Sequence, residues 1–289
     1  DGDLELNLPG MRRHARFLLE GGVRAGNGVL LVCGGAGDFP TLHPDERIRV
    51  AEAVLDEVGG EVGVVLGAQS TDQRDVVALA QAAARLGAVA VQVSPPFYHP
   101  PTDDDVYEFV EAVASSADVG IVLYTTYWKG YQPPLELIER LAELPQLIGL
   151  KWASPSMTTF EKGLRLFAKR LCVIDNNFPF VYSHLLGARG INPHPSNYWP
   201  EWGVRLWGLL EAGKYREAQD EVSRVVTPYY DLSAEIERYT GGEGHLDKLC
   251  LELIGLGSSR CRPPTRDIRS LFRDKVRQML LRCGVPRVR

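Results

Sequence analysis

The chain is poor in the residue patterns that build metal centres, cystine frameworks and cofactor cradles. Its five cysteines, Cys33, Cys172, Cys250, Cys261 and Cys283, are an odd number with no CxxC spacing. They suit free thiols in a reducing cytoplasm better than disulfides or a zinc site. The six histidines show no HExxH or paired-ligand spacing, so no metal is expected. The one glycine-rich turn, Gly34-Gly35-Ala36-Gly37, lacks GxGxxG spacing and runs into Phe39-Pro40. It is a poor dinucleotide fingerprint, and no cofactor is expected. No apolar run reaches the roughly 18 residues of a membrane span, and no signal-peptide pattern is present. Excess positive charge is missing as well. A net charge of -5 and a pI near 5.8 argue against nucleic acid or an anionic membrane surface as partner. A cytoplasmic globular protein acting on a small molecule is the expectation that remains. Lysine is scarce beside arginine, so each lysine merits inspection.

The chain alternates helical and strand patterns. Helices are expected over residues 9–22, 43–58, 70–86, 102–114, 134–144, 158–170 and 180–186. Strands are expected over 28–33, 62–66, 88–93, 120–126, 147–153, 171–175 and 190–192. The strands are almost continuously apolar, as in a parallel sheet covered by helices on both faces. Seven strands are counted, and the first element is a helix with no strand before it. The expected fold is a (β/α)8 TIM barrel with a C-terminal helical extension, its first strand missing from this sequence. A doubly wound open sheet is the alternative. The first residue is Asp1 rather than Met, so the native start is expected to lie upstream. The barrel is expected over residues 1–213 and the packed helical region over 214–289, with helices at 215–239, 246–254 and 267–283.

One stretch stands out, Leu147-Ile148-Gly149-Leu150-Lys151-Trp152-Ala153. It places a lysine inside an apolar strand. Alternate residues share a face, so Lys151 lies with Leu147, Gly149 and Ala153, and small neighbours leave room beside the amine. A lysine in a low-dielectric pocket loses proton affinity and becomes a nucleophile for a carbonyl. The other reading is a lysine at a strand end reaching into solvent. Active sites of parallel barrels lie at the C-terminal strand ends. Those ends carry Gly34 to Gly37, Gln69-Ser70, Pro95 to Tyr98, Tyr124 to Thr126, Lys151, Asn176-Asn177 and Asn192 to His194, a polar set. The glycine turn can present N–H groups to a carboxylate, or is simply a tight turn. Tyr124 can shuttle protons for an imine, or packs with its hydroxyl satisfied.

Read together, these segments resemble the dihydrodipicolinate synthase / N-acetylneuraminate lyase superfamily of Schiff-base-forming class I aldolases. The family's GTTGE loop resembles Gly34-Gly35-Ala36-Gly37-Asp38, followed by Leu42 and Glu46. Its G-x-x-S/T resembles Gly67-Ala68-Gln69-Ser70-Thr71, and its PYY turn resembles Pro96-Phe97-Tyr98. Its YNxP motif resembles Tyr124-Thr125-Thr126-Tyr127, and its IxGxK motif resembles Leu147 to Lys151. A late glycine-to-asparagine pattern resembles Gly190 to Asn197. Leu256-Gly257 and Arg262-Pro263-Pro264 match the C-terminal pattern. The resemblance implies Lys151 as the imine-forming lysine, Tyr124 as the proton-transfer phenol, and the N–H groups of Gly35 and Ala36 as carboxylate donors. It implies a 2-oxo acid such as pyruvate as substrate, and a homodimer or homotetramer with Tyr98 near the partner's pocket.

The departures are specific. Both loop threonines are replaced, by Gly35 and Ala36, and in the synthases the first of them links two tyrosines of a proton relay. Lys129 falls near the place of a substrate-binding arginine. Asn192 and His194 bring polar groups where the family usually has Ile, Ser or Val. These changes point away from the lysine-biosynthetic reaction and toward an aldolase, lyase or 2-oxo sugar acid dehydratase acting on another 2-oxo acid. Candidate substrate-binding residues are therefore Gly35, Ala36, Tyr98, Lys129, Asn192 and His194. A non-catalytic descendant that binds a small acid stays open as the second reading.

Overall fold

The computed structural model describes residues 4–257 and 260–289. Helices and strands alternate as α1 (Leu8–Glu20), β1 (Val29–Val32), α2 (Pro44–Val58), β2 (Gly63–Gly67), α3 (Gln73–Leu86), β3 (Ala90–Val93), α4 (Asp103–Ser116) and β4 (Gly120–Tyr124). They continue as α5 (Leu135–Leu141), β5 (Leu147–Trp152), α6 (Met157–Phe167), β6 (Cys172–Asp175), α7 (Phe180–Leu185) and β7 (Gly190–Ile191). Five helices follow: α8 (Pro200–Glu211), α9 (Tyr215–Glu221), α10 (Thr227–Glu237), α11 (Gly244–Leu253) and α12 (Arg269–Cys283). The seven strands form one sheet in chain order. This is the (β/α)8-barrel plan with seven strands and a C-terminal helical extension.

Local chemistry explains most boundaries. Thr102 accepts from the Asp105 N–H at 3.2 Å and Asp105 accepts from the Thr102 N–H at 2.8 Å, a reciprocal cap that starts α4. Helix α3 starts at Gln73, later than the expected residue 70. Its N-cap is Asp72, which accepts from the Arg74 N–H at 2.9 Å. Ser70 instead donates to the Asp75 carboxylate at 3.0 Å. The single helix expected over 215–239 is broken by a π turn at Val222–Val226. Pro228 brings no N–H to the carbonyl of Arg224 four residues earlier. That carbonyl is met by the Cys283 thiol at 3.4 Å.

Contacts group the chain into two compact units. The unit Val64–Asn192 contains β3 to β7 and all but the first residue of β2. Every pair there is parallel, with registers Gly67↔Gln92, Gln92↔Val122, Tyr124↔Lys151, Lys151↔Ile174 and Ile174↔Gly190. Paired residues in parallel strands point the same way. One sheet face therefore carries Gln92, Val122, Gly149, Tyr124, Lys151 and Ile174. The other carries Leu123, Leu150 and Trp152 and is covered by helices. Trp152 is fully buried there. Its indole N–H donates to the Phe160 carbonyl at 2.9 Å, and its ring stacks on Phe160. Helix α6 comes this close because position 163 is glycine: a Cβ there would lie 2.6 Å from the indole ring.

The other unit joins 1–63 to 193–289. Arg262 fastens it. Its guanidinium forms a two-pronged bridge to Glu46, at 2.7 Å on each oxygen, and donates to the carbonyls of Leu4 and Thr41 at 2.7 and 2.9 Å. Glu46 also accepts the His43 N–H at the start of α2. Two motifs of the sequence, Leu42 to Glu46 and Arg262 to Pro264, are thus the halves of one ion pair. Among the described residues, no helix is long and apolar enough to cross a membrane.

Candidate active site

Lys151 and Tyr124 are register partners at the C-terminal ends of β5 and β4. They are 7% and 8% exposed. The Lys151 amine lies over the face of the Tyr124 ring, 4.4 Å from its centre. An aromatic face attracts a cation without neutralising it or blocking its lone pair once deprotonated. The outer edge of the site is aromatic too. Trp128, 42% exposed, meets Tyr124 edge-on at 6.1 Å and Tyr127 at 4.9 Å.

What holds the two strand ends together is Thr125, a position where the resemblance expects asparagine. It is fully buried. Its N–H donates to the Lys151 carbonyl at 3.1 Å. Its hydroxyl accepts the Ala153 N–H at 2.8 Å and donates to the Ala153 carbonyl at 3.1 Å. The ladder bonds between β4 and β5 end near here, and Thr125 extends them past the lysine. Sequence reasoning listed Thr125 only as a rim residue, because a threonine after a strand has many uses.

Two residues beyond Ile174 and Gly190 on the same face come Asn176 and Asn192. Their amides meet in a long contact, Asn192 Nδ2 to Asn176 Oδ1 at 3.5 Å. The residue before Asn176, Asp175, is fully buried. Asp175 accepts from the N–H groups of Asn177 and Phe178 at 2.6 and 3.0 Å and from the Ser183 hydroxyl at 2.5 Å. Burial pushes its carboxyl up to about 6, against the pull of those donors. Tyr98 and Lys129 are exposed, on the loops after β3 and β4. Tyr98 is 80% exposed and packs only edge-on against its neighbour His99 among the ring contacts of the described residues.

The remaining predicted residues, Gly35, Ala36 and His194, lie in the unit formed by 1–63 and 193–289. There α11 brings them to one helix. The glycine turn is closed by Gly37 N–H to the Gly34 carbonyl at 3.0 Å and Asp38 N–H to the Gly35 carbonyl at 3.1 Å. These bonds do not use the N–H groups of Gly35 and Ala36. The side-chain space of residue 35 is filled from elsewhere: a Cβ on Gly35 would sit 2.1 Å from the Glu243 carboxylate. A Cβ on Gly244 would sit 2.4 Å from the Ala36 carbonyl. Lys248 pairs with Asp38, and Asp247 hydrogen-bonds His194 at 2.7 Å. Sequence reading missed Glu243, Asp247 and Lys248. The glycines on both sides of Glu243 were the one available signal.

This arrangement is that of a parallel barrel with a lysine and a tyrosine at its strand ends, and comparison with known proteins narrows the class. A sequence model of the dihydrodipicolinate synthetase family matches residues 1–282, and the chain belongs to that family, one of lyases on the Schiff-base aldolase fold. It is 37% identical over 158 residues to a 4-hydroxy-tetrahydrodipicolinate synthase of Desulforudis audaxviator. That match covers 54% of this chain and 52% of the relative, about half its length. An uncharacterized DapA-like lyase of Halobacterium salinarum is 31% identical over 271 residues, covering 93% of this chain and 85% of that one. Among solved structures, dihydrodipicolinate synthase of Thermotoga maritima aligns with TM-score 0.85 at 26% identity, covering 97% of this chain and 94% of that one. A monomeric dihydrodipicolinate synthase variant aligns with the same score and identity, covering 97% and 92%. A prophage family member from E. coli K12, solved in complex with pyruvate, aligns with TM-score 0.87 at 22% identity, covering 99% and 95%. At that identity the likeness concerns the fold alone.

Proposed function

We propose that the protein is a class I lyase or aldolase that forms a Schiff base between Lys151 and a 2-oxo acid such as pyruvate, with an aldehyde as the second carbonyl partner. The observation that carries this reading is the buried Lys151 amine laid on the Tyr124 ring at the strand ends. The amine adds to the ketone carbon, the carbonyl oxygen leaves as water, and an imine remains. The protonated imine draws electrons from the adjacent carbon, so loss of a proton or of an aldehyde leaves a stabilised enamine. Tyr124 serves proton transfer in imine formation. Gly35 and Ala36 keep the role the resemblance implies, N–H donors for the substrate carboxylate, and Lys129 adds a cation.

The lysine-biosynthetic synthase reaction is not the one proposed, because Gly35 and Ala36 carry no hydroxyl. The paired amides of Asn176 and Asn192 favour a hydroxylated carbonyl partner, since amides both donate to and accept from hydroxyls. The same feature supports a second reading, dehydration of a 2-oxo sugar acid on the same imine. A homodimer or homotetramer with Tyr98 at the contact is part of the proposal; its 80% exposure supports it, and light scattering tests it. Borohydride reduction in the presence of pyruvate tests the chemistry. The expected result is a mass increase that peptide mapping places on Lys151. Labelling of another lysine such as Lys129, or no labelling with any 2-oxo acid, refutes it.

A further inference from the structure

A strand inside a parallel sheet bonds to its two neighbours through alternate residues. The lysine strand keeps this alternation beyond its last residue. The Lys151 carbonyl accepts the Thr125 N–H on the β4 side at 3.1 Å, and the Trp152 carbonyl accepts the Asn176 N–H on the β6 side at 3.0 Å. Past Trp152, side chains of the neighbours take over from their backbones. Thr125 bonds both the N–H and the carbonyl of Ala153, at 2.8 and 3.1 Å. Asn177 does the same for Ser154: its Oδ1 accepts the N–H at 3.2 Å, and its Nδ2 donates to the carbonyl at 2.7 Å. Two side chains thus supply the next two rungs, one on each edge of β5. Ala153 and Ser154 are 0% and 2% exposed, so their backbone groups depend on these bonds.

Asn177 is itself held. The Asp175 carboxylate accepts its N–H and that of Phe178, and the Ser183 hydroxyl of α7 donates to the same carboxylate. The chain leaves β6 at Phe178, whose φ is 73°, and the Asn177 amide is left facing Ser154. All of these residues belong to the unit Val64–Asn192, which also carries Lys151 and Tyr124. Lys151 lies three residues before Ser154. Its amine sits 4.4 Å from the centre of the Tyr124 ring, a placement that depends on how the ends of β4 and β5 lie against each other. Strand ends with open rungs fray, and a reacting group is held in place by the shell of bonds behind it.

We propose that Asn177 is a positioning residue for imine formation: by pinning Ser154 to the β6 side, it fixes the depth and direction from which the Lys151 amine reaches a ketone. The inference rests on the imine reading above. Asn177 touches no reacting atom in this role, and Thr125 is its counterpart on the β4 side. The chemical step is unchanged: the amine nitrogen adds to the ketone carbon, and the carbonyl oxygen leaves as water.

The test uses pyruvate alone. Protein is mixed with pyruvate and quenched with borohydride at short times, and the labelled fraction is read by mass spectrometry across pyruvate concentrations. Asn177→Ala is expected to lower the maximal rate of imine formation by roughly 10- to 100-fold, the scale of lost alignment, with the half-saturating pyruvate concentration unchanged. A merely structural role lowers the melting temperature and the final labelled fraction, and leaves that rate in place. Asn177→Asp keeps the shape of the side chain, serves if Asn177→Ala does not fold, and adds a pH signature. Its ionised carboxylate accepts the Ser154 N–H but cannot donate to the Ser154 carbonyl, and protonation restores the donor. Its rate relative to wild type is therefore expected to be low at neutral pH and to recover as pH falls toward the carboxyl range of about 4, while that of Asn177→Ala stays low. A wild-type maximal rate in Asn177→Ala, or an Asn177→Asp rate that follows wild type at every pH, overturns this inference and spares the imine reading. No trapping in wild type overturns both.

Discussion

Two polar neighbourhoods of this chain are built on opposite terms. In the unit Val64–Asn192, the Lys151 amine rests on an aromatic face, in a row with Ile174 and Gly190. In the other unit, each partly buried carboxylate is matched: Glu46 by Arg262, Asp38 by Lys248, and Asp247 by His194 and Tyr229. A carboxylate gripped by ionic donors is fixed in place and chemically quiet. The Lys151 amine, buried at a strand end, is the group proposed to add to a carbonyl. The contrast sets the proposed reactive group apart from the ion-paired framework of the other unit.

The sharpest break of that contrast is Lys151→Ala. Trapping and turnover should vanish while the circular dichroism spectrum and melting curve stay near wild type, because the side chain ends a strand whose backbone pairing with β4 and β6 is left in place. Retained turnover would end the proposed chemistry. Tyr124→Phe keeps the ring under the amine and removes the hydroxyl. The rate should fall by roughly two to four orders of magnitude, the scale of acid–base help, while trapped product still forms slowly. A variant as fast as wild type would reduce Tyr124 to packing.

The framework side gives the complementary outcome. Arg262→Ala leaves Glu46 and two carbonyls unmatched and should cost about 2–4 kcal/mol in urea unfolding, near the range for breaking a buried pair. Trapping of Lys151 should persist in the folded fraction. The Arg262 guanidinium holds the Glu46 carboxyl down to about 2. That stabilisation is present above the ordinary glutamate range and is lost as pH falls toward 2. Melts in acid should therefore separate wild type from Arg262→Ala less than melts at pH 7.

The smallest effect concerns Asp175, whose carboxyl is raised to about 6 by burial. Its folded value exceeds its unfolded one, so its contribution is fully present below about pH 4 and is lost as pH rises through 6. Asp175→Asn removes this slope. Urea midpoints at pH 4.5 and 7.5 should lie closer together in the variant, by at most about 3 kcal/mol in stability. An unchanged gap would mean that the donors around Asp175, rather than its burial, decide its ionisation.

Much of the fold was legible because hydrophobic runs and helix caps are local. The alternation of strands and helices, the lysine strand and the helix starting near Thr102 follow from neighbouring residues. The start of α3 was misplaced because Ser70 and Asp72 are both competent caps, and the contact between Ser70 and Asp75 chose between them. The π turn before α10 was missed because the pattern of apolar residues runs through it, although Pro228 marked the place.

Sequence by itself determined that a lysine would sit in a strand beside a strand ending in tyrosine, because strand periodicity depends only on successive residues. It also determined that the glycine turn lacks hydroxyls. Only tertiary structure decided what fills the space over Gly35, what Arg262 is for, and which carboxylate orients His194. Those choices join positions far apart in the chain. Many acids and arginines were chemically eligible, and packing selected among them.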